Sequence, residues 1–412
     1  MINFRMLRLS DLWLWLSSGT LVLISFIAIF STTYGMQLKL DGDPLLFVKR
    51  QLFSFLTALI GVAVFAYLDY KTLKKWSPYL YVLTVLLLLV VLFTGSSAQG
   101  AQRWLYLGPL SFQPSELSKI AIIIALATFL CRREKITGLF DALKLLLLIG
   151  LPFLLIFKQP DLGTALVFIV ILIGTLAASE SSPQLLFFLI TPILSIMLRP
   201  VFFLWLAYLL LLAIILFLFR ASFWQWVYIL GANILVGIAV PYIWGMLKVY
   251  QKQRILTFIN PAADPYGAGY HSLQSKIAIG SGGLLGKGFL HGTQTQLQFI
   301  PEQHSDFIFS VIGEEFGFLG AALVVLLFAL FVWRSLVIAS QARDNFGFLL
   351  ASAIAVMFVF HVVANIGMAV GLLPVVGMPL PFISFGGSSL FMSFIALGIL
   401  QSIAMRRQKI IF

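Results

Sequence analysis

Asp306 stands inside the stretch FIPEQHSDFIFSVIGEEFG, residues 299–317, where a polar loop carrying Pro301, Glu302 and His304 turns into a long apolar run. A carboxylate at such a boundary has two uses. It can act as a general base toward a substrate hydroxyl, or it can cap the first turn of the helix that follows. The residue types leave both readings open. Glu314 lies eight residues further along, about 12 Å deeper at 1.5 Å per residue, and Glu315 follows it. Ionisable groups at that depth are expected to face a bundle interior and to be functional. Gly313 and Gly317 form a GxxxG spacing that permits close packing of the helix carrying them.

Two further charged breaks interrupt apolar sequence. In QPSELSK, residues 113–119, Pro114, Ser115 and Glu116 are first-turn residues, and Glu116 and Lys119 are three apart, on neighbouring parts of one helical face. They form either a helix-end ion pair that fixes packing or one side of a polar pocket. In KQPDLGTA, residues 158–165, Asp161 is placed to cap the next helix. The stretch GSGGLLGKG, residues 280–288, lacks the Ser or Thr that a phosphate-binding P-loop requires after its lysine. It reads as a flexible bend, with backbone-amide contact to phosphate as the alternative. His271, His291, His304 and His361 have no metal-ligand spacing, and no GxSxG elbow is present. The single cysteine, Cys131, excludes disulfides and cysteine-based zinc sites.

The elements that must hold these residues are membrane helices. Of 412 residues, 61% are hydrophobic and 10% charged, against about 25% charged in a soluble domain. Apolar runs of spanning length occur near 13–34, 51–68, 77–95, 115–131, 142–157, 162–179, 184–199, 201–219, 224–246, 306–333, 346–371 and 383–405. The pair at 184–219, parted only by LRP, forms either a spanning or a re-entrant hairpin. The fold class is therefore an all-α polytopic membrane protein, one transmembrane domain over 1–412. The basic N-terminal segment reads as a retained first helix.

Lys and Arg at the helix ends set the orientation. With both termini cytoplasmic, Arg5, Arg8, Lys71, Lys74, Lys75, Arg132, Arg133, Lys135, Lys144, Arg220, Arg334, Arg343, Arg406, Arg407 and Lys409 all fall on the cytoplasmic side. The other side carries an excess that the topology rule does not explain: Arg103, Lys119, Lys158, Lys248, Lys252, Arg254, Lys276 and Lys287. An anionic ligand at the outer surface explains it. The net charge of +12 thus reads as topology signal and anionic lipid, and no nucleic-acid-binding motif accompanies it. Two long outer segments, about 96–114 and about 247–305, are expected to be ordered, with SLQSKIAI, residues 272–279, as a short amphipathic helix on the surface.

The blocks GAQRWLYLGPLSFQPSELSK, KQPDLGTALVF, YGAGYHSLQSKIAIGSGGLLGKGFLHGTQTQLQFIPEQHSDFIFSVIGEEFGFLG and NIGMAVGLLPVVGMPLPFISFGGSSL resemble, in order and over nearly the whole chain, the signature blocks of the SEDS proteins (shape, elongation, division and sporulation), and the RodA branch more than the FtsW branch. The resemblance implies a SEDS-type bundle of ten core transmembrane helices, so that 184–219 reads as an inserted helical hairpin beside a large ordered outer loop. It implies a peptidoglycan glycosyltransferase that polymerises lipid II outside the cytoplasmic (inner) membrane for cell elongation and shape. It also implies a class B penicillin-binding protein transpeptidase and elongation-complex membrane proteins as partners. The family's essential aspartate maps onto Asp306, its Arg-Trp pair onto Arg103 and Trp104, and its Glu and Lys onto Glu116 and Lys119. Phe385 stands where tyrosine is common.

That chemistry fits the anomalies. The acceptor 4-hydroxyl attacks an α-linked donor with inversion, so one carboxylate suffices as base, a contribution of typically ~10²–10⁴-fold. The leaving diphosphate needs only positive charge from Arg103, Lys119, Lys276, Lys287 or a divalent ion such as Mg²⁺ or Mn²⁺. Asp161 joins these as a substrate-side candidate. The competing class is a lipid II flippase or other transporter, which needs charges along a path to the inner leaflet, whereas here they gather on one side. A purely structural scaffold would not need the loop chemistry.

Overall fold

The computed structural model describes residues 8–39, 41–98, 101–107, 110–132, 139–260 and 268–407. Arg5, Arg133, Lys135 and Lys409, assigned above to one membrane side, lie outside them, as do residues 261–267 of the second long loop. The chain is a multi-pass helical membrane protein. Among the described residues, seven helices are long and apolar enough to cross a membrane: α1 (Leu12–Lys39), α2 (Leu46–Tyr67), α3 (Tyr70–Thr94), α9 (Phe223–Met246), α14 (Gly317–Ser340), α15 (Asn345–Ala369) and α16 (Gly387–Met405). Between them lie α4 (Pro114–Leu130), α5 (Leu139–Lys158), α6 (Leu162–Ala178), α7 (Pro183–Leu198) and α8 (Phe202–Leu218). Among the described residues four short helices complete the set: α10 (Val249–Ile259), α11 (Ala268–Gly282), α12 (Thr293–Gln296) and α13 (Ile308–Glu315).

A helix apolar all round belongs in a core, and α4, α15 and α16 fill that place, with most of their residues buried. Small residues let them close up. A Cβ at Gly398 on α16 would lie 2.9 Å from the Val62 carbonyl oxygen on α2. Phe331, Phe358, Phe382 and Phe394 interlock in the same core, with ring centroids 4.7–5.5 Å apart. The outward faces carry Ile60, Phe93, Phe203, Phe217 and Leu326, all strongly exposed, which is the lipid-facing belt of a membrane bundle.

The 184–219 segment is an antiparallel hairpin of two apolar helices, 16 and 17 residues long. It packs with α9 around a small cluster of Trp205, Tyr208 and Leu212. A polar knot fastens it: Ser195 Oγ donates to Asn233 Oδ1 (2.8 Å), Asn233 Nδ2 to Thr191 Oγ1 (3.1 Å), and Trp205 Nε1 to Ser195 Oγ (3.3 Å). Side-chain hydrogen bonds of this kind hold helices together where lipid supplies no hydrophobic drive.

Two expectations change. The first long loop adds a small antiparallel sheet to the helical body, β1 (Ser96–Ala98), β2 (Ala101–Leu107) and β3 (Leu110–Phe112). The apolar run at 306–333 is two helices, α13 and α14, broken at Gly317, whose φ is +64°. GSGGLLGKG splices that break. Lys287 and Gly288 N–H groups donate to the Glu314 and Glu315 carbonyls (3.0 Å each), and the Phe318 and Leu319 N–H groups donate to the Gly283 and Leu284 carbonyls (2.8 and 3.2 Å). The backbone amides of Lys287 and Gly288 thus satisfy helix-end carbonyls and are committed to the fold. The expected surface helix is present as α11.

Candidate functional site

The site is built at the end of the bundle where β2, the α5–α6 turn, α10, the 299–307 turn and the loop after α15 meet. Asp306 sits at the close of a turn in which its N–H donates to the Glu302 carbonyl (3.1 Å). Its backbone is pinned from α15: Asn365 Nδ2 donates to the carbonyls of Asp306 (2.9 Å) and Met378 (2.7 Å). Beside it, Ser384 Oγ donates to the Ser305 carbonyl (2.6 Å) and Phe385 N–H to the His304 carbonyl (2.9 Å). The Phe385 ring packs on Phe47 and His304. The first turn of α13 begins at Ile308 behind Phe307 and has no side-chain cap. The carboxyl of Asp306 is therefore not spent as a helix cap.

Loss of water around this half-buried group, then repulsion from Glu302, push its pKa up to about 6; Arg254 pulls it down, Asp161 pushes it up and Arg103 pulls it down. Gly377, at φ +68°, leaves a gap there. A Cβ on it would stand 3.2 Å from Asp306 Oδ2 and 3.9 Å from Arg254 Nη1. Carboxylate and guanidinium thus face one small space that a side chain at 377 would fill.

Arg103 on β2 reaches the α5–α6 turn, donating through Nε to the Gln159 carbonyl (3.1 Å) and through Nη2 to the Pro160 carbonyl. That turn presents Asp161, which caps α6 by accepting from Thr164 N–H (3.3 Å) and Thr164 Oγ1 (3.0 Å) and also accepts from Gln113 Nε2 (3.2 Å). Asp161 is thus a cap that also bears on Asp306 electrostatically. Trp104 is half-buried on β2, paired in register with Ser96.

Glu116 and Lys119 form the ion pair their spacing foretells, 2.8 Å apart and buried. A third member comes from α15: Lys119 Nζ lies 3.0 Å from His361 Nε2, while His361 Nδ1 lies 2.9 Å from the Met357 carbonyl. A carbonyl can only accept, so Nδ1 carries the proton and Nε2 accepts from the ammonium. The three line a cavity with Pro381 and Ser389. The pair is at once packing device and pocket wall.

The loop lysines separate. Lys276 lies over Gly371 and shares a groove with Arg254. Lys287 pairs instead with Glu314 (2.8 Å) and bonds Thr293 Oγ1 (2.7 Å). Glu314 is fully buried but faces the loop, not the bundle interior. It also accepts from the Gln294 and Thr295 N–H groups (2.9 and 3.0 Å) and Thr295 Oγ1 (2.8 Å). Arg254, Glu302, Asn365, His361 and Gly377 are brought to the site only by the fold. Arg254 was visible as a cation on the unexpected side without a visible partner, and Asn365, an amide inside an apolar run, carries a signal of the same kind.

A family model described as cell cycle protein, FtsW/RodA/SpoVE, matches residues 11–208 and 179–409. The peptidoglycan glycosyltransferase MrdB of Escherichia coli strain K12 is 38% identical over 371 residues, 90% of this chain and 89% of that one. The peptidoglycan glycosyltransferase RodA of Treponema pallidum is 34% identical over 396 residues, 88% and 90% of the two chains. Among solved structures, a chain from work on the structural coordination of polymerization and crosslinking by a peptidoglycan synthase complex superposes with TM-score 0.71 at 29% identity, covering 97% of this chain and 98% of that one. The rod shape determining protein RodA of Thermus thermophilus gives 0.62 at 26%, covering 97% and 98%. With its bundle, its signature blocks and these matches over nearly its full length, the chain belongs to the FtsW/RodA/SpoVE family, the SEDS proteins.

Proposed function

We propose that the protein is a peptidoglycan glycosyltransferase that polymerises lipid II into β-1,4 glycan on the outer face of the bacterial cytoplasmic membrane, with Asp306 as general base. The observation that carries this reading is an uncapping carboxylate held by its backbone, with a guanidinium across a glycine gap. Asp306 takes the proton of the acceptor 4-hydroxyl as that oxygen bonds to the donor's anomeric carbon. The bond from that carbon to the diphosphate breaks, and the diphosphate leaves with the electron pair. A base with a pKa near 6 is ionised at neutral pH yet binds a proton more tightly than an ordinary aspartate, which suits the task.

Arg103 and Asp161 shape the rim beside Asp306, and Trp104 offers a ring face to a sugar. Lys119, held by Glu116 and His361, gives positive charge to the cavity below. Lys287 acts on the loop through Glu314. Among the described residues no three His, Cys, Asp or Glu side chains gather into a metal site; a divalent ion here would rest on one or two carboxylates and the substrate's diphosphate, and no step runs through one. The cationic helix ends opposite the site support a cytoplasmic location for both termini. A class B penicillin-binding protein and other elongation-complex membrane proteins are the partners this reading implies.

The test is purified protein with purified lipid II, with and without the transpeptidase, products resolved as glycan ladders. Wild type makes ladders, and Asp306→Asn inserts normally and makes none. Lipid II transfer across vesicles without glycan from wild type would replace this reading with a flippase.

A further inference from the structure

A shallow groove runs between α10, α11 and the turn after α15, lined by Arg254, Thr257, Ser272, Lys276, Gly371 and Val375. Its construction is specific. Gly371 has φ +73°, and a Cβ there would lie 1.8 Å from Lys276 Cε and 2.4 Å from Nζ. Glycine alone lets the lysine lie across the turn with its ammonium in the groove. Ser275, next to it, anchors α11 by donating to the Ala369 carbonyl (2.5 Å) at the end of α15. Arg254 belongs to both places: it lines the groove, and its Nη1 faces Asp306 across Gly377.

An inverting displacement needs the attacking and departing oxygens on opposite sides of the anomeric carbon. A diphosphate leaving group gains negative charge as its bond breaks, and fixed cations stabilise that gain. We propose that the Arg254–Lys276 groove holds the donor's diphosphate, so that the polyprenyl diphosphate departs there while Asp306 deprotonates the acceptor. This rests on the polymerase reading and adds to it which end of the site is the donor's.

Phosphate also occurs on lipid headgroups, so the test must separate the two. Farnesyl diphosphate is used as a probe, titrated into the detergent-solubilised full chain and also as an inhibitor of lipid II polymerisation. Binding and inhibition should weaken about tenfold or more in Lys276→Ala and recover in part in Lys276→Arg, with melting temperature unchanged. Farnesyl monophosphate should bind more weakly than the diphosphate, and phosphatidylglycerol should not displace it. Binding that ignores Lys276, or a diphosphate displaced by phosphatidylglycerol as readily as by itself, overturns the proposal. If Lys276-dependent binding is found in a protein that makes no glycan, the groove stands and the polymerase reading falls. If glycan forms but binding ignores Lys276, the reverse holds.

Discussion

Asp306 is kept at the site at a cost to the fold. Its surroundings favour the neutral acid, with burial first and Glu302 second. A carboxyl whose pKa is raised on folding adds stability below its unfolded pKa, near 4, and loses that contribution as pH rises through its folded value. At pH 8 the ionised group is therefore a burden. Asp306→Asn should melt higher than wild type at pH 8, by about 1–2 kcal/mol after discounting for partial exposure, and the gain should shrink by pH 5. Equal melting at pH 8 would show the group is not strained. The local sequence disclosed the residue but not this state, because Arg254, Arg103 and Asp161 reach Asp306 only through tertiary contact. Glu116 and Lys119 were legible because three residues of helix fix their distance; His361, arriving from another helix, was not.

Among elements, the break between α13 and α14 is the feature that anchors the 283–288 loop. It was not legible as a break, since both helices are apolar and the run reads as one span. The GxxxG glycines signalled close packing, and that is found: a Cβ at Gly317 would lie 2.3 Å from Gly286 N, and one at Gly286 would lie 2.1 Å from the Glu315 carbonyl oxygen. Backbone meets backbone there, with no side chain able to yield. Gly317→Ala or Gly286→Ala should lower the melting temperature by several degrees, combining left-handed strain of about 1–2 kcal/mol with the clash. A neutral result in thermal melting would mean the splice is loose. Glu314 ties the same splice to the 293–295 turn, and Glu314→Ala strands Lys287 and four loop donors. A loss of about 2–3 kcal/mol is expected, below the range for a fully buried pair because Lys287 is partly exposed. Glu314→Gln, which keeps the shape, should lose less. The two variants can be compared by urea or thermal unfolding in one detergent.

At the scale of the whole molecule, composition and apolar runs were enough to read a polytopic helical bundle, because lipid admits few alternatives. What composition could not place was the sheet at 96–112, whose strands of three and seven residues are too short to carry a periodic signal. The molecule has charged clusters at both ends. Opposite the site, Arg334 pairs with Asp11, and Lys71 with Asp344 (3.3 Å). The single native cysteine makes the proposed orientation testable. In a Cys131→Ser background, Glu302→Cys should react in whole spheroplasts with a membrane-impermeant maleimide, and Lys74→Cys only after lysis. The opposite pattern would invert the topology and remove the site from an outer-face substrate.

The most direct measurement is the pH dependence of kcat/KM for lipid II polymerisation in wild type, Glu302→Gln and Asp306→Asn. If one carboxyl near the mouth of the bundle accepts the acceptor's proton, the wild-type rate rises with pH through a midpoint near 6. That limb moves to lower pH when the charge of Glu302 is removed, and Asp306→Asn yields no polymer. A limb that stays in place in Glu302→Gln, or glycan made by Asp306→Asn at any pH, contradicts the account.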